Sequence, residues 1–168
     1  MTDIAISSSR AAGTTADRYE RFLTVASIIL LAAVLLAIAR GHGQWSHVHP
    51  IIWLHLLTIL VALALTPVIL SRRRGDLRHR WFGWIWSAAL ILTALDSFLL
   101  RAAGGGFSVI HLLSVFTLIQ VPVIVVSARR HNVKRHRRAV RGMVTGALLI
   151  AGFFTFPFDR LLGHWLFS

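Results

Sequence analysis

Five long apolar runs constrain the fold of this chain more than any other feature of its sequence. They cover residues 22–39, 51–70, 81–100, 107–127 and 140–156. A helix crosses the hydrocarbon core of a bilayer in roughly 20 residues, which is close to the length of each run. The runs neither alternate like half-buried strands nor carry the polar stripe of a helix that faces water. The sequence therefore predicts an all-α, polytopic transmembrane helical bundle with about five spans.

Composition agrees with a lipid environment. Hydrophobic residues make up 56% of the chain and charged residues only 14%, whereas soluble domains carry about 25% charged residues. The chain has no cysteine, which excludes disulfides and thiolate metal sites. The basic residues that give the net charge of +12 lie between long apolar runs, and a nucleic-acid-binding protein would not place them there. We expect the bilayer, and not nucleic acid, to be the partner of these charges.

The basic residues predict the orientation of the chain. The connection at 71–80 holds five arginines, and the connection at 128–141 holds seven Lys or Arg residues. The connections on the opposite side hold one arginine each, Arg40 and Arg101. Short loops rich in Lys and Arg stay in the cytoplasm. The expectation is a bacterial inner (plasma) membrane protein with a cytoplasmic N-terminus and a periplasmic C-terminus.

The region before the second span gives two further expectations. Residues 1–21 are predicted to form a flexible cytoplasmic tail, which leaves 22–168 as a single transmembrane domain. The first run ends in an Ala-x-Ala pattern that a signal peptidase could cut. Because that run has about 18 residues, longer than the usual 7–15 of a signal peptide, we expect a retained anchor.

The chain contains an internal repeat. Residues 55–80 read HLLTILVALALTPVILSRRRGDLRHR, and residues 111–137 read HLLSVFTLIQVPVIVVSARRHNVKRHR. Both segments open with His-Leu-Leu and a hydroxyl residue, pass through a proline and close on His-Arg. They predict two tandem units, at about 50–101 and 106–157, each with a span, a basic loop and a returning span. Units that start on the same side of the membrane form a parallel repeat.

The repeat places four histidines at matching depths. His55 and His111 are expected near the outer surface on equivalent helices, and His79 and His136 near the inner surface. Ionisable residues within a membrane are costly unless they have partners, and they often mark functional sites. The sequence thus predicts one histidine pair in each leaflet.

Residues from about 50 to 168 resemble a family of uncharacterised bacterial integral membrane proteins with a domain of unknown function. The resemblance rests on HLLT and HLLS, on the HRWFG of 79–83, on GGGFSVIHLLS at 104–114 and on RRAVRGMVTGALLIAGFFTF at 137–156. The plan is also similar to that of two-haem b-type transmembrane cytochromes, in which alternate helices supply paired ligands. That resemblance implies that one haem b binds His55 and His111 and a second binds His79 and His136, in an electron-transfer subunit.

Other interpretations of the polar residues remain open. Asp96 would either accept the second imidazole proton of a ligating histidine or pair with Arg101 or Arg160. Asp96 and the histidines would also form a proton relay in a transporter or proton-conducting protein. In a non-catalytic membrane subunit, the histidines would be structural. His42, His47 and His49 lie in one loop, but their spacing is too common to predict a metal site. No catalytic residue set is visible.

Small residues predict close helix packing in the last span. Gly142 and Gly146 form a GxxxG motif, which lets helix backbones approach closely in membranes. The motif predicts a packing face, either within the chain or in a homo- or hetero-oligomer.

The predicted orientation can be tested with single cysteines, because the chain has none of its own. We expect Ser46→Cys and Ser168→Cys to react with a membrane-impermeant maleimide in intact cells. Asp76→Cys and Asn132→Cys should react only after the membrane is opened. Labelling of Asp76→Cys from the periplasm would reverse the orientation and the leaflet of all four histidines.

Overall fold

The computed structural model describes residues 16–72, 75–100, 109–157 and 160–168. Within these ranges the chain is helical and contains no strand, which confirms the all-α prediction. Six helices follow one another: α1 (Arg18–Arg40), α2 (Pro50–Ser71), α3 (Leu77–Ser97), α4 (Val109–Arg129), α5 (Val133 to Phe153, with a π-helical segment at Val144–Ile150) and α6 (Leu161–Phe167). A 3-10 helix at Gly41–His47 extends α1.

Several predicted features lie outside the described residues. They are most of the N-terminal tail, Arg101, the start of the fourth run at 107, and the glycine-rich stretch at 104–106. The helix α1 begins at Arg18, inside the stretch that the sequence assigned to the tail, because Asp17 and Glu20 form a capping box at its first turn. A capping box satisfies backbone N–H groups that would otherwise lack partners.

Three helical segments are long and apolar enough to cross a membrane: Arg18–His47, Pro50–Ser71 and His111–Arg129. The other two predicted spans correspond to α3 and α5. The helix α3 has 21 residues, but Arg78 and Arg80 near its start and Asp96 near its end lower its mean hydropathy. The three apolar segments are compatible with a membrane protein.

The long helices pack in chain order and close into a ring. Each of α2 to α5 contacts the helix before it, and the π-helical part of α5 returns to contact α1. One apolar core receives side chains from all five helices, including Leu23, Ala62, Leu90, Val121 and Met143. The short helix α6 packs on α1 and on the 3-10 helix, where its Trp165 donates from Nε1 to Oε1 of Gln44 at 3.0 Å.

The turns before α3 and α5 share one backbone design. Asp76 caps α3 by accepting from the His79 N–H, and Asn132 caps α5 by accepting from the Arg135 N–H. A residue with positive φ directly precedes each cap, Gly75 at 88° and His131 at 53°. The caps are 56 residues apart in the chain, as His55 and His111 are.

An ionic seam joins α1 to α5. Glu20 is only 1% exposed, and its carboxylate accepts from Nε and Nη2 of Arg137 at 2.7 and 2.9 Å. Arg141 donates to Asp17 and, at 3.3 Å, to Glu20. The backbone N–H of Glu20, followed by the guanidinium of Arg141, holds the pKa of the Asp17 carboxyl below its usual value. The seam thus anchors the first turn of α1 to the arginine-rich turns of α5.

The GxxxG motif faces another helix of the same chain. A Cβ atom at Gly142 would lie 3.7 Å from Nε2 of Gln120, and one at Gly146 would lie 3.7 Å from Phe116. Both neighbours belong to α4, so these glycines bring α4 and α5 together. Gly163 is tighter still, because a Cβ there would overlap the carbonyl oxygen of Phe156.

Adjacent arginines on α5 allow a matched test of the seam. We expect Arg137→Gln to lower the free energy of unfolding by about 3 kcal/mol, since it leaves a buried carboxylate without its bidentate partner. Arg138→Gln removes the same charge from outside the seam and should change stability by no more than ~0.5 kcal/mol. Unfolding in detergent micelles, followed by circular dichroism, measures both values. Equal effects of the two substitutions would contradict a stabilising role of the seam.

Candidate functional site

Asp96 is the centre of a polar cluster at the end of α3. Its side chain is buried, and its Oδ1 lies 2.5 Å from Nδ1 of His55 on α2. Its Oδ2 accepts from the hydroxyl of Thr58 at 3.0 Å. His55 and Thr58 lie three residues apart on α2 and therefore share one face of that helix. The carboxylate thereby ties α3 to α2 through both of its oxygens.

The next two residues of the chain turn toward α4. The hydroxyl of Ser97 lies 2.5 Å from that of Ser114, and the ring of Phe98 lies 5.6 Å from the imidazole of His111, measured between centroids. His111 is buried. Thr58 and Ser114 are the hydroxyl residues that follow His-Leu-Leu in the two repeated segments. The segments that begin at His55 and His111 therefore each place a histidine and a hydroxyl against the end of α3 or the residue that follows it.

At the opposite end of the bundle the other two histidines meet. The imidazole centroids of His79 on α3 and His136 on α5 are 6.5 Å apart, with the rings inclined by 75°. Nδ1 of His136 lies 3.0 Å from the carbonyl oxygen of Ile124 on α4. The structure brings this predicted pair together although α3 and α5 are not neighbours along the chain.

Hydrogen bonding fixes which imidazole nitrogen carries the proton. A carbonyl oxygen accepts only, so the contact with Ile124 requires a proton on Nδ1 of His136. An ionised Asp96 likewise requires a proton on Nδ1 of His55. In a neutral imidazole the lone pair then lies on Nε2. A carboxylate or a backbone carbonyl at the other nitrogen is the usual orienting partner of a metal-bound histidine.

The centroid distance of 6.5 Å between His79 and His136 is short enough for both imidazoles to reach one shared partner. At the other end of the bundle, His55 and His111 both contact the end of α3 or the residue that follows it.

Two polar residues within the long helices, Asp96 and Gln120, have partners on neighbouring helices. Asp96 contacts His55, whereas Arg101, one of the alternative partners, lies outside the described residues. Gln120, in the middle of α4, donates from Nε2 to the carbonyl oxygen of Ala139 at 3.2 Å and so links α4 to α5. Within the described ranges no three His, Asp or Glu side chains gather as a metal-binding group.

The ionic seam was the main feature that sequence reasoning missed. The only local signal was an Asp-x-x-Glu pair just before an apolar run, which is typical of a helix start. Nothing in the sequence indicated that Glu20 would meet Arg137, which lies 117 residues later.

No protein-family model, curated protein or solved structure matches this sequence.

The polar cluster at Asp96 can be tested by a double-mutant cycle. We expect Asp96→Ala to lower the free energy of unfolding by about 1–3 kcal/mol, because a buried hydroxyl and an imidazole lose their acceptor. Thr58→Ala should cost less, and the double variant should cost less than the sum, since both residues act in one cluster. Thr93→Ala is the control, because its hydroxyl bonds within α3 to the carbonyl of Ala89. Strict additivity would show that Asp96 and Thr58 do not cooperate.

Proposed function

We propose that this protein is a b-type haem-binding electron-transfer subunit of the bacterial inner membrane. The observation that carries the proposal is the approach of His79 and His136 from two non-adjacent helices, with ring centroids 6.5 Å apart. Imidazole is a common axial ligand of haem iron. Bound there, haem would supply one-electron chemistry, and the polypeptide would supply ligands, their orientation and an apolar surround.

The proton positions support the proposal at both ends of the bundle. His136 is oriented by the carbonyl of Ile124, and His55 by the carboxylate of Asp96. Each arrangement leaves the Nε2 lone pair for a metal. We propose that His55 and His111 are the ligands of a second haem, with Asp96 raising the basicity of His55.

The membrane arrangement forms part of the same proposal. We propose that α1 to α5 all span the bilayer and that α2–α3 and α4–α5 are the tandem units. The shared turn geometry, with a positive φ before each helix cap, supports the tandem relationship. The two basic turns would face the cytoplasm, which leaves the cluster at Asp96 in the outer leaflet. We also propose, from the resemblance of residues 50–168, that the chain belongs to a family of uncharacterised bacterial membrane proteins.

A second candidate function rests on the His55–Asp96 contact alone. A histidine bonded to a carboxylate at 2.5 Å within an apolar bundle is typical of proton relays in pumps and transporters. In a proton-conducting protein, both groups would exchange a proton during each transport cycle, and no haem would be needed.

The haem proposal predicts a red protein with a b-type absorption spectrum. Protein purified in mild detergent, and then incubated with haemin, should show a Soret band and a reduced α-band in the b-haem region. His79→Ala and His136→Ala should each remove the same half of the bound haem. The double variant His79→Ala/His136→Ala should bind no less haem than either single variant, because the two ligands serve one site.

The control is His47→Ala, since His47 is exposed on the 3-10 helix and its loss should leave haem content unchanged. A folded protein that stays colourless after haemin addition would refute haem binding. If the same protein in liposomes dissipates a pH gradient, and Asp96→Asn abolishes this, the proton-conducting function is the correct one.

A further inference from the structure

The N-terminal half of α5 carries two groups of cations, which divide between two faces of the helix. Arg137 and Arg141 face α1, where Glu20 and Asp17 neutralise them. Lys134, Arg135 and Arg138 form the second group, and among the described residues they make no ion pair. In the second group Arg138 is four residues from Lys134 and three from Arg135, so its side chain lies beside each of them on the helix surface.

The second group surrounds a cavity between α4 and α5. The cavity has a volume of about 450 Å³, which is large enough for a phosphate with its substituents, and it is open to the outside. Its wall consists of the three cations, two amide residues and two apolar residues: Lys134, Arg135, Arg138, Gln120, Asn132, Val123 and Ala139. Three like charges around one cavity repel each other, and an anion within it would relieve that repulsion.

An exposed apolar face of α4 continues from this cavity toward the middle of the bundle. Phe116 and Ile119 are 36% and 62% exposed, and they lie on the same face of α4 as Gln120 and Val123, at helical spacings of three and four. A ligand with an anionic head in the cavity and an apolar chain along this face would satisfy both surfaces. Inorganic phosphate would satisfy only the first.

We infer that the cavity between α4 and α5 binds the phosphate-bearing headgroup of an anionic phospholipid, with an acyl chain on Phe116 and Ile119. Basic pockets between membrane helices on the cytoplasmic side are suited to such headgroups. The inference rests on the proposed membrane placement of α4 and α5, but it does not require haem. A guanidinium offers paired donors to phosphate oxygens, and the net negative charge of an anionic lipid adds an attraction to the cations that a zwitterionic lipid lacks.

Lipid selectivity in bilayers tests the inference. The protein is reconstituted in phosphatidylcholine, and spin-labelled phosphatidylglycerol is compared with spin-labelled phosphatidylcholine by the immobilised fraction in electron spin resonance. We expect a clear preference for phosphatidylglycerol. The variant Lys134→Gln/Arg135→Gln/Arg138→Gln should lower the preference by roughly five-fold or more, given the attraction of each cation for anionic lipid.

The matched control removes three cations from the same end of the bundle but outside the cavity: Arg78→Gln/Arg80→Gln/Arg130→Gln. It should keep most of the preference. Val123→Phe fills the cavity without a change of charge and should lower the preference as the first triple variant does. Circular dichroism checks that each variant is folded.

Three results would overturn the inference. Equal losses of lipid preference in the two triple variants would show only a general attraction between basic surface residues and the anionic lipid. Full lipid preference in Val123→Phe would place the lipid elsewhere. Displacement of the labelled lipid by millimolar inorganic phosphate would show that the cavity selects the free anion. None of these results bears on haem binding, which the absorption spectrum of the same samples reports separately.

Discussion

The carboxylate of Glu20 holds the two ends of the helical ring together. It lies almost fully buried in the first turn of α1 and accepts two hydrogen bonds from Arg137 on α5. A buried carboxylate without a partner is strongly unfavourable, so the register of α1 against α5 is set by this pair. The other helices then pack in chain order between these two, and the ring of five long helices closes around one core.

Within that ring, α3 is the helix on which the candidate site depends. Its first turn contributes His79, which approaches α5, and its last residues contact α2 through Asp96 and α4 through Ser97. The helix and the residue that follows it therefore contact both histidine pairs. At the C-terminal end of α3, Asp96 bonds His55 of α2, while Ser97 and Phe98 contact Ser114 and His111 of α4.

The segments at 55–80 and 111–137 are similar in sequence, but their second histidines take different positions in their helices. His79 is the third residue of α3, whereas His136 is the fourth residue of α5. A difference of one residue rotates a side chain by about 100° around the helix. The ring centroids are nevertheless only 6.5 Å apart. The basic N-terminal half of α5 carries one group of cations that acidic residues of α1 neutralise and another that lines a cavity, so it both anchors the fold and forms part of the cavity wall.

The sequence by itself determined the features that depend on local order. The length of the apolar runs predicted the helices, the basic clusters marked the turns, and the matching segments identified four histidines. Asp96 stood out as the one acid within an apolar run.

The tertiary structure alone decided which side chains meet. Glu20 with Arg137, Asp96 with His55 and Gly142 with α4 are contacts between residues far apart in the chain. Such contacts depend on how the packed helices are ordered and rotated, and no local sequence pattern contains that information. Hydropathy and helix propensity depend on neighbouring residues and can therefore be read directly from the sequence.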